Sequence, residues 1–267
     1  MIPYQFNYKR ATSVAEAEEM LRDSPEGKLL AGGQTLIAAM KMRLANPSDL
    51  IDISGIKDLN YIRVGPDAIA IGAATTHFEV ATSREVAGAI SALAHLASII
   101  GDPAVRHKGT LGGSVANNDP AADYPAAVLA LNATITTNKR SIAADDFFTG
   151  MFSTALEDSE ILTEVSFPIP QKSSYKKFQN PASRYAMAGA FVAKLKDGSI
   201  RVAITGAGPC VFRVPEMEAA LAKNFTAEAV AQIAVDASGL NSDIHGSAEY
   251  RANLVTVMAK RAVAEAA

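Results

Sequence analysis

The chain has a single cysteine, Cys210, among its 267 residues. A [2Fe–2S] cluster takes about four thiolate ligands, so no iron–sulfur centre can be built from this polypeptide alone. Cys210 follows Gly208-Pro209 and reads as a buried small hydrophobe. Histidine is scarce as well. His77, His95, His107 and His245 show no H-x-x-x-H or similar spacing, which removes the common metal-ligand patterns. No G-x-S-x-G elbow is present, and Asp145-Asp146, ahead of an aromatic pair, reads as a turn cap rather than a carboxylate dyad. No apolar run approaches the roughly 20 residues of a membrane span. Met1 to Phe6 lack a basic stretch leading into an apolar one, so no signal peptide is expected. A net charge of −3 argues against a nucleic-acid or anionic-membrane surface. The familiar nucleotide fingerprints are also missing. No G-x-G-x-x-G opens a helix after a strand, and Gly27-Lys28 has no glycine five positions before Gly27, so neither a Rossmann turn nor a P-loop is encoded.

What the chain does have is two glycine pairs far apart, in Leu29-Leu30-Ala31-Gly32-Gly33-Gln34-Thr35-Leu36 and in Thr110-Leu111-Gly112-Gly113-Ser114-Val115-Ala116-Asn117. Each reads as an apolar strand running into a turn without side-chain bulk. Glycine has no Cβ and reaches φ > 0 without penalty, so backbone N–H groups there can approach a phosphate closely. Two such turns edged by Thr, Ser, Gln and Asn suggest two walls closing on one diphosphate. Taken singly, each pair is equally well read as a plain turn.

The composition, 49% hydrophobic and 20% charged, is that of a globular chain, and the length suffices for two domains. Ser13-x-x-Glu16 predicts a capping box opening a helix with Val14, Ala17, Met20 and Leu21 on one face. A strand at 28–31, a helix at 35–44 and a strand at 50–53 make a β-α-β unit, so the first glycine pair opens onto a helix N-terminus. A hairpin follows at 59–64 and 68–73, around Gly65-Pro66-Asp67, then a helix at about 86–100 stopped by Gly101-Asp102-Pro103. Farther on, the pattern predicts a helix at 121–131, strands at 133–137 and 161–167, a second hairpin at 187–195 and 200–205, and helices near 214–222, 227–237 and 248–264.

Ala31-Gly32-Gly33-Gln34-Thr35-Leu36, Lys41-Met42-Arg43-Leu44, Leu50-Ile51-Asp52-Ile53, Arg106, the run from Thr110 to Asn117, Asp123, Pro125, Glu160-Ile161-Leu162, Tyr175 to Phe178, Pro181 to Ala186 and Gly206-Ala207-Gly208 together resemble the FAD-binding subunit of the molybdenum hydroxylases. The resemblance runs nearly end to end and is nearest the medium subunit of aerobic carbon monoxide dehydrogenase and the FAD subunits of xanthine or aldehyde dehydrogenases. It implies an α+β fold, with a two-part FAD-binding domain of the PCMH (vanillyl-alcohol-oxidase-like) type over 1–172, split at about 56, and a smaller α+β C-terminal domain over 173–267. It implies FAD on this chain, non-covalently held, with molybdopterin and [2Fe–2S] clusters only on partner chains.

By the same resemblance, Leu30, Ala31, Gly32, Gly33, Gln34, Thr35 and Leu36, with Thr110, Gly112, Gly113, Ser114 and Asn117, border the diphosphate and adjoining cofactor groups. Asp123 corresponds to an acidic residue near the adenosine half. Ile100, Leu162 and Lys177 fall at cofactor contacts, and Tyr185 against the isoalloxazine ring. Ile100 and Leu162 are equally well read as core residues, and Tyr185 as a domain-interface aromatic. Ser114 stands where many relatives carry asparagine, and the Ile100 region lacks the aromatic of the eukaryotic xanthine-oxidising relatives. The implied setting is a cytoplasmic heterotrimer with a large molybdenum subunit and a small iron–sulfur subunit, passing electrons to quinone or NAD. Two other readings stay open: a self-sufficient FAD-dependent reductase of the same superfamily, and a flavin-free structural subunit.

Overall fold

In the computed structural model, which describes residues 2–266, three larger sheets follow one another along the chain, with a two-stranded one formed by Phe148–Gly150 and Ser153–Thr154. The first is parallel. Strand Asp49–Asp52 lies between Asn7–Arg10 and Lys28–Leu30, and helices Val14–Arg22 and Leu36–Lys41 connect them. This is the expected β-α-β unit with one strand more. Asn7–Arg10 carries no hydrophobic alternation because it is an exposed edge strand, held by backbone pairing and by polar side chains, Tyr8 donating to Asp52 at 2.5 Å and Lys9 pairing with Asp49 at 3.0 Å. Ser13 caps its helix, its hydroxyl accepting from the Glu16 N–H at 3.2 Å. The box closes one residue early, however: the Glu16 carboxylate accepts from the Thr12 N–H at 2.7 Å instead of from Ser13. Ala17 is buried with Ile51, Ile53 and Ile161 beneath the sheet, and Val14, Met20 and Leu21 pack around them.

The second sheet is antiparallel, with strands in the order Ile62–Val64, Ala68–Gly72, Leu162–Pro168, Thr134–Thr137 and Ser141–Ala143. Its core gathers Ile69, Ile71, Ile135, Val165 and Phe167 under a layer of short helices. The single helix expected at 86–100 is two, Arg84–Ala89 and Ser91–Ser98. They part at Ile90, whose backbone leaves the helical region (φ −143, ψ 80) while its side chain is buried. Helix His77–Thr82 adds an unexpected element, opened by a full capping box at Thr76-x-x-Glu79.

The third sheet, also antiparallel, runs Lys172–Gln179, Ala186–Lys194, Ile200–Thr205 and Phe212–Arg213. The second of these strands is buried along almost its whole length. Phe191 and Ala193 join the core of the preceding sheet, together with Tyr175 and Ala203. Ala188, Ala190 and Val192 face the other way, onto Val255, Met258 and Ala259 of helix Ala248–Ala266. The helix expected at 227–237 is a single turn, Ala227–Val230. Asp145 is not a turn cap: its carboxylate pairs with Arg201 and, at 3.5 Å, with Arg213, tying helix Ala144–Phe147 to the third sheet. Cys210 is half-buried rather than buried, beside the Asn118 side chain.

Glu160 pins the turn after Thr137. Its carboxylate accepts from Thr137 Oγ1 (2.7 Å), Arg140 Nε (3.0 Å) and the Glu157 N–H (2.8 Å). These donors, the Arg140 guanidinium first, hold its pKa at about 2, below the ordinary 4.5. A carboxylate depressed in the folded state contributes stability above its unfolded pKa and loses it as the pH falls through the folded value. Glu160→Gln is therefore expected to lower stability at pH 7 and to flatten its decline between about pH 4.5 and pH 2, as followed by chemical denaturation across that range.

Candidate functional site

A cavity of about 960 Å³ opens where the three sheets' connections meet. Its first wall is the turn after strand Lys28–Leu30, where Gly33 adopts φ +69 and sends the chain into helix Leu36–Lys41. Among the described residues, the backbone N–H groups of Gly32, Gly33, Gln34 and Thr35 have no acceptor. Gly32 and Gly33 are half-buried and Gln34 and Thr35 exposed, so these donors stand at the start of a helix, open to an acceptor that enters the cavity. A Cβ on Gly32 would overlap the Lys108 carbonyl and stand 2.8 Å from Gly109 Cα, so Gly32 is where the first wall touches the second.

The second wall departs from the strand-and-turn expectation. Gly112 and Gly113 lie in the first turn of helix Leu111–Asn117, capped by Thr110, whose hydroxyl accepts from the Gly113 N–H at 3.1 Å. The residues before it belong to the short helix Pro103–Arg106 and a loop, not to a strand. The two glycines have different tasks. Gly112 lets the helix rest on Ala73, whose Cβ lies 2.5 Å from where a Gly112 Cβ would stand and whose carbonyl takes the Gly112 N–H at 2.9 Å. A Cβ on Gly113 would meet only the Thr110 hydroxyl, at 2.8 Å, and then Ala31 Cβ at 4.0 Å, so that position opens toward the first wall.

At one end of the cavity, Ile100, Gly101, Asp123 and Tyr185 come together. Arg106 donates to the Ile100 and Gly101 carbonyls at 2.9 and 3.1 Å and so fixes that turn. Asp123 is buried; it accepts from the Tyr175 hydroxyl at 2.5 Å and from Lys177 Nζ at 3.1 Å, while Lys177 also donates to the Ile99 carbonyl at 2.9 Å. Burial pushes the Asp123 carboxyl upward against the downward pull of Lys177 and Tyr175. Burial likewise drives the Tyr175 hydroxyl well above its ordinary range. All the site residues named from the sequence line the cavity except Lys177, which lies behind Asp123 with its side chain 2% exposed. Its ammonium is drawn under the wall because the buried carboxylate needs a counter-charge more than the cavity does. His77, Asp119, Asp158 and Arg184 also line the cavity and were not named. Only His77 had a local signal, its position just inside the Thr76 capping box.

Two glycine walls, unpaired N–H groups and a long cavity fit the diphosphate of a dinucleotide. A family model described as the FAD binding domain in molybdopterin dehydrogenase matches residues 4–170, and one described as the CO dehydrogenase flavoprotein C-terminal domain matches 173–266. The chain belongs to the family of molybdopterin dehydrogenase FAD-binding subunits. This flavoprotein is 36% identical to the glyceraldehyde dehydrogenase medium chain of Sulfolobus acidocaldarius, across 100% of both chains. It is 36% identical to the carbon monoxide dehydrogenase medium chain of Hydrogenophaga pseudoflava, over 98% of this chain and 97% of that one. Among solved structures it matches reconstituted CO dehydrogenase from Oligotropha carboxidovorans with a TM-score of 0.91 and 33% identity, covering 100% of this chain and 99% of that chain. The flavoprotein is thus an FAD-binding oxidoreductase subunit with the α+β architecture expected of it. Among its described residues no helix is long and apolar enough to cross a membrane.

Proposed function

We propose that this chain carries electrons between iron–sulfur clusters on a small partner subunit and an external acceptor, after a molybdenum centre on a large partner has oxidised the substrate. The observation that carries this reading is the cavity with its four unpaired N–H groups, on a chain that has only one cysteine. FAD, when bound, supplies the redox chemistry, and the protein supplies its position and electrostatics.

In this reading the N–H groups of Gly32 to Thr35 and the open face at Gly113 hold the diphosphate. The remaining named residues, from Leu30 to Leu36, Thr110 to Asn117, Ile100, Asp123, Leu162 and Tyr185, line its path. Ile100 and Tyr185 border the ring end, while Leu162 with Glu157 to Ser159 borders the adenosine end. Lys177 ties Asp123 to the Ile99 carbonyl, next to Ile100, so in this reading Asp123 stands toward the ring half rather than the adenosine half first expected. Lys177 serves the cofactor indirectly, by balancing Asp123. We divide the work between a cofactor-binding part over 1–172 and a C-terminal part over 173–267, the latter contributing Ser183 to Tyr185. The complex is read as a cytoplasmic heterotrimer.

The purified chain is expected to accept electrons from artificial reductants but to give no substrate-dependent dye reduction. That activity should appear only when the iron–sulfur and molybdenum subunits are added. Robust turnover by the isolated chain would overturn the assignment.

A further inference from the structure

The His77 ring is only 5% exposed, yet it lines the cavity. Among the described residues its Nδ1 is sealed from solvent without a hydrogen-bond partner. Its Nε2 would stand 2.6 Å from a Cβ on Gly109, the glycine whose Cα in turn lies 2.8 Å from where a Gly32 Cβ would be. The imidazole is therefore stacked against the point where the two glycine walls touch. The main chain holds it there: the His77 N–H donates to the Gly109 carbonyl at 2.9 Å, and Thr76 forms an antiparallel bridge with Thr110. On its other side lies the Tyr124 ring, with centroids 5.4 Å apart.

With Nδ1 sealed off, Nε2 is the ring nitrogen of this firmly held side chain that a partner from outside the chain can reach. We propose that His77 is a cofactor-contact residue whose neutral imidazole donates a hydrogen bond from Nε2 to the FAD diphosphate at the junction of the glycine walls. This rests on the proposed function and goes beyond it, since neither the glycine motifs nor the resemblance assigns His77 a role. The tautomer follows from the surroundings. An orphaned acceptor is tolerated more readily than an orphaned N–H, so the sealed Nδ1 is the bare nitrogen and the proton sits on Nε2. Burial and the nearby Arg106 charge keep the ring uncharged, with a pKa of about 4.

The test is FAD titration into the full-length apoprotein, followed by the change in flavin fluorescence. His77→Phe keeps a ring beside Tyr124 and removes both nitrogens, whereas His77→Gln keeps a donor. His77→Phe is expected to raise the Kd about fivefold or more, the size of one lost hydrogen bond, and His77→Gln by less than about twofold. The apoprotein melting temperatures of both are expected to match the unaltered chain. Equal affinity in His77→Phe, or equal weakening in the two variants, would overturn the contact. If the unaltered chain binds no FAD, the proposed function falls and the contact with it. A further measurement needs no variant. Nitrogen-15 spectra of labelled histidine should show His77 protonated at Nε2, with that resonance displaced by FAD; an Nδ1-protonated ring or an unmoved resonance would exclude the contact.

Discussion

Lys177→Met is expected to cost the fold about 3–5 kcal/mol at neutral pH, the usual consequence of removing one partner of a buried ion pair. Lys177 and Asp123 are both almost wholly enclosed, and among the described residues the Tyr175 hydroxyl is the only other side-chain donor on that carboxylate. Without the ammonium, Asp123 faces burial with a single hydrogen bond. Its folded pKa then rises further above the unfolded value, so the loss is greatest at high pH and shrinks as the pH falls below the unfolded value of about 3.9, where the carboxyl becomes protonated in both states. Urea denaturation at several pH values checks the sign. The double variant Asp123→Asn/Lys177→Met is expected to recover much of the loss, because it removes both charges together. An additive double variant would mean that the pair does not act as a unit.

Gly113→Val is expected to raise the Kd for FAD by about 100-fold or more while the chain stays folded. In a helix valine is no worse than glycine, so the backbone does not object. The new Cβ meets only the Thr110 hydroxyl before it reaches the space facing Ala31, and its methyl groups occupy the place where a phosphate would rest. Gly33→Val acts differently. There φ is +69, and a Cβ would stand 2.6 Å from Ile37 Cδ1, so strain of about 1 kcal/mol or more is added to the loss of the cofactor. Flavin absorbance retained through gel filtration, set beside circular dichroism of the same samples, separates the two effects. Full flavin occupancy in Gly113→Val would refute the cradle.

The glycine pairs were legible because they are local, and so were the β-α-β unit and both hairpins, which follow from hydrophobic period and turn residues within a few positions. Asn7–Arg10 and Lys172–Gln179 were not, because a polar edge strand and an alternating Lys-Ser-Ser-Tyr-Lys-Lys segment become strands only through the neighbours they pair with. The same limit governs the site. Thr110 to Ser114 could be recognised as a segment of the cavity wall but not as a helix start, since its capping hydroxyl and its rest on Ala73 depend on where the second sheet lies. Lys177 shows the difference most clearly. A lysine in a cofactor motif suggests a hand reaching into the cavity, and only the position of Asp123 reveals that it is turned away.

Strand Ala186–Lys194 has one face in the core of the second sheet and the other against the last helix. A wall shared in this way makes the chain a poor candidate for modular exchange. A hybrid joining the first 170 or so residues of one relative to the remainder of another would have to match Tyr175, Phe191, Ala193 and Ala203 to a foreign core, while also matching Lys177 to a foreign Asp123. Inherited change on the two sides of that wall is therefore coupled, and the C-terminal part is confined to substitutions that keep both its faces and the carboxylate's counter-charge in register.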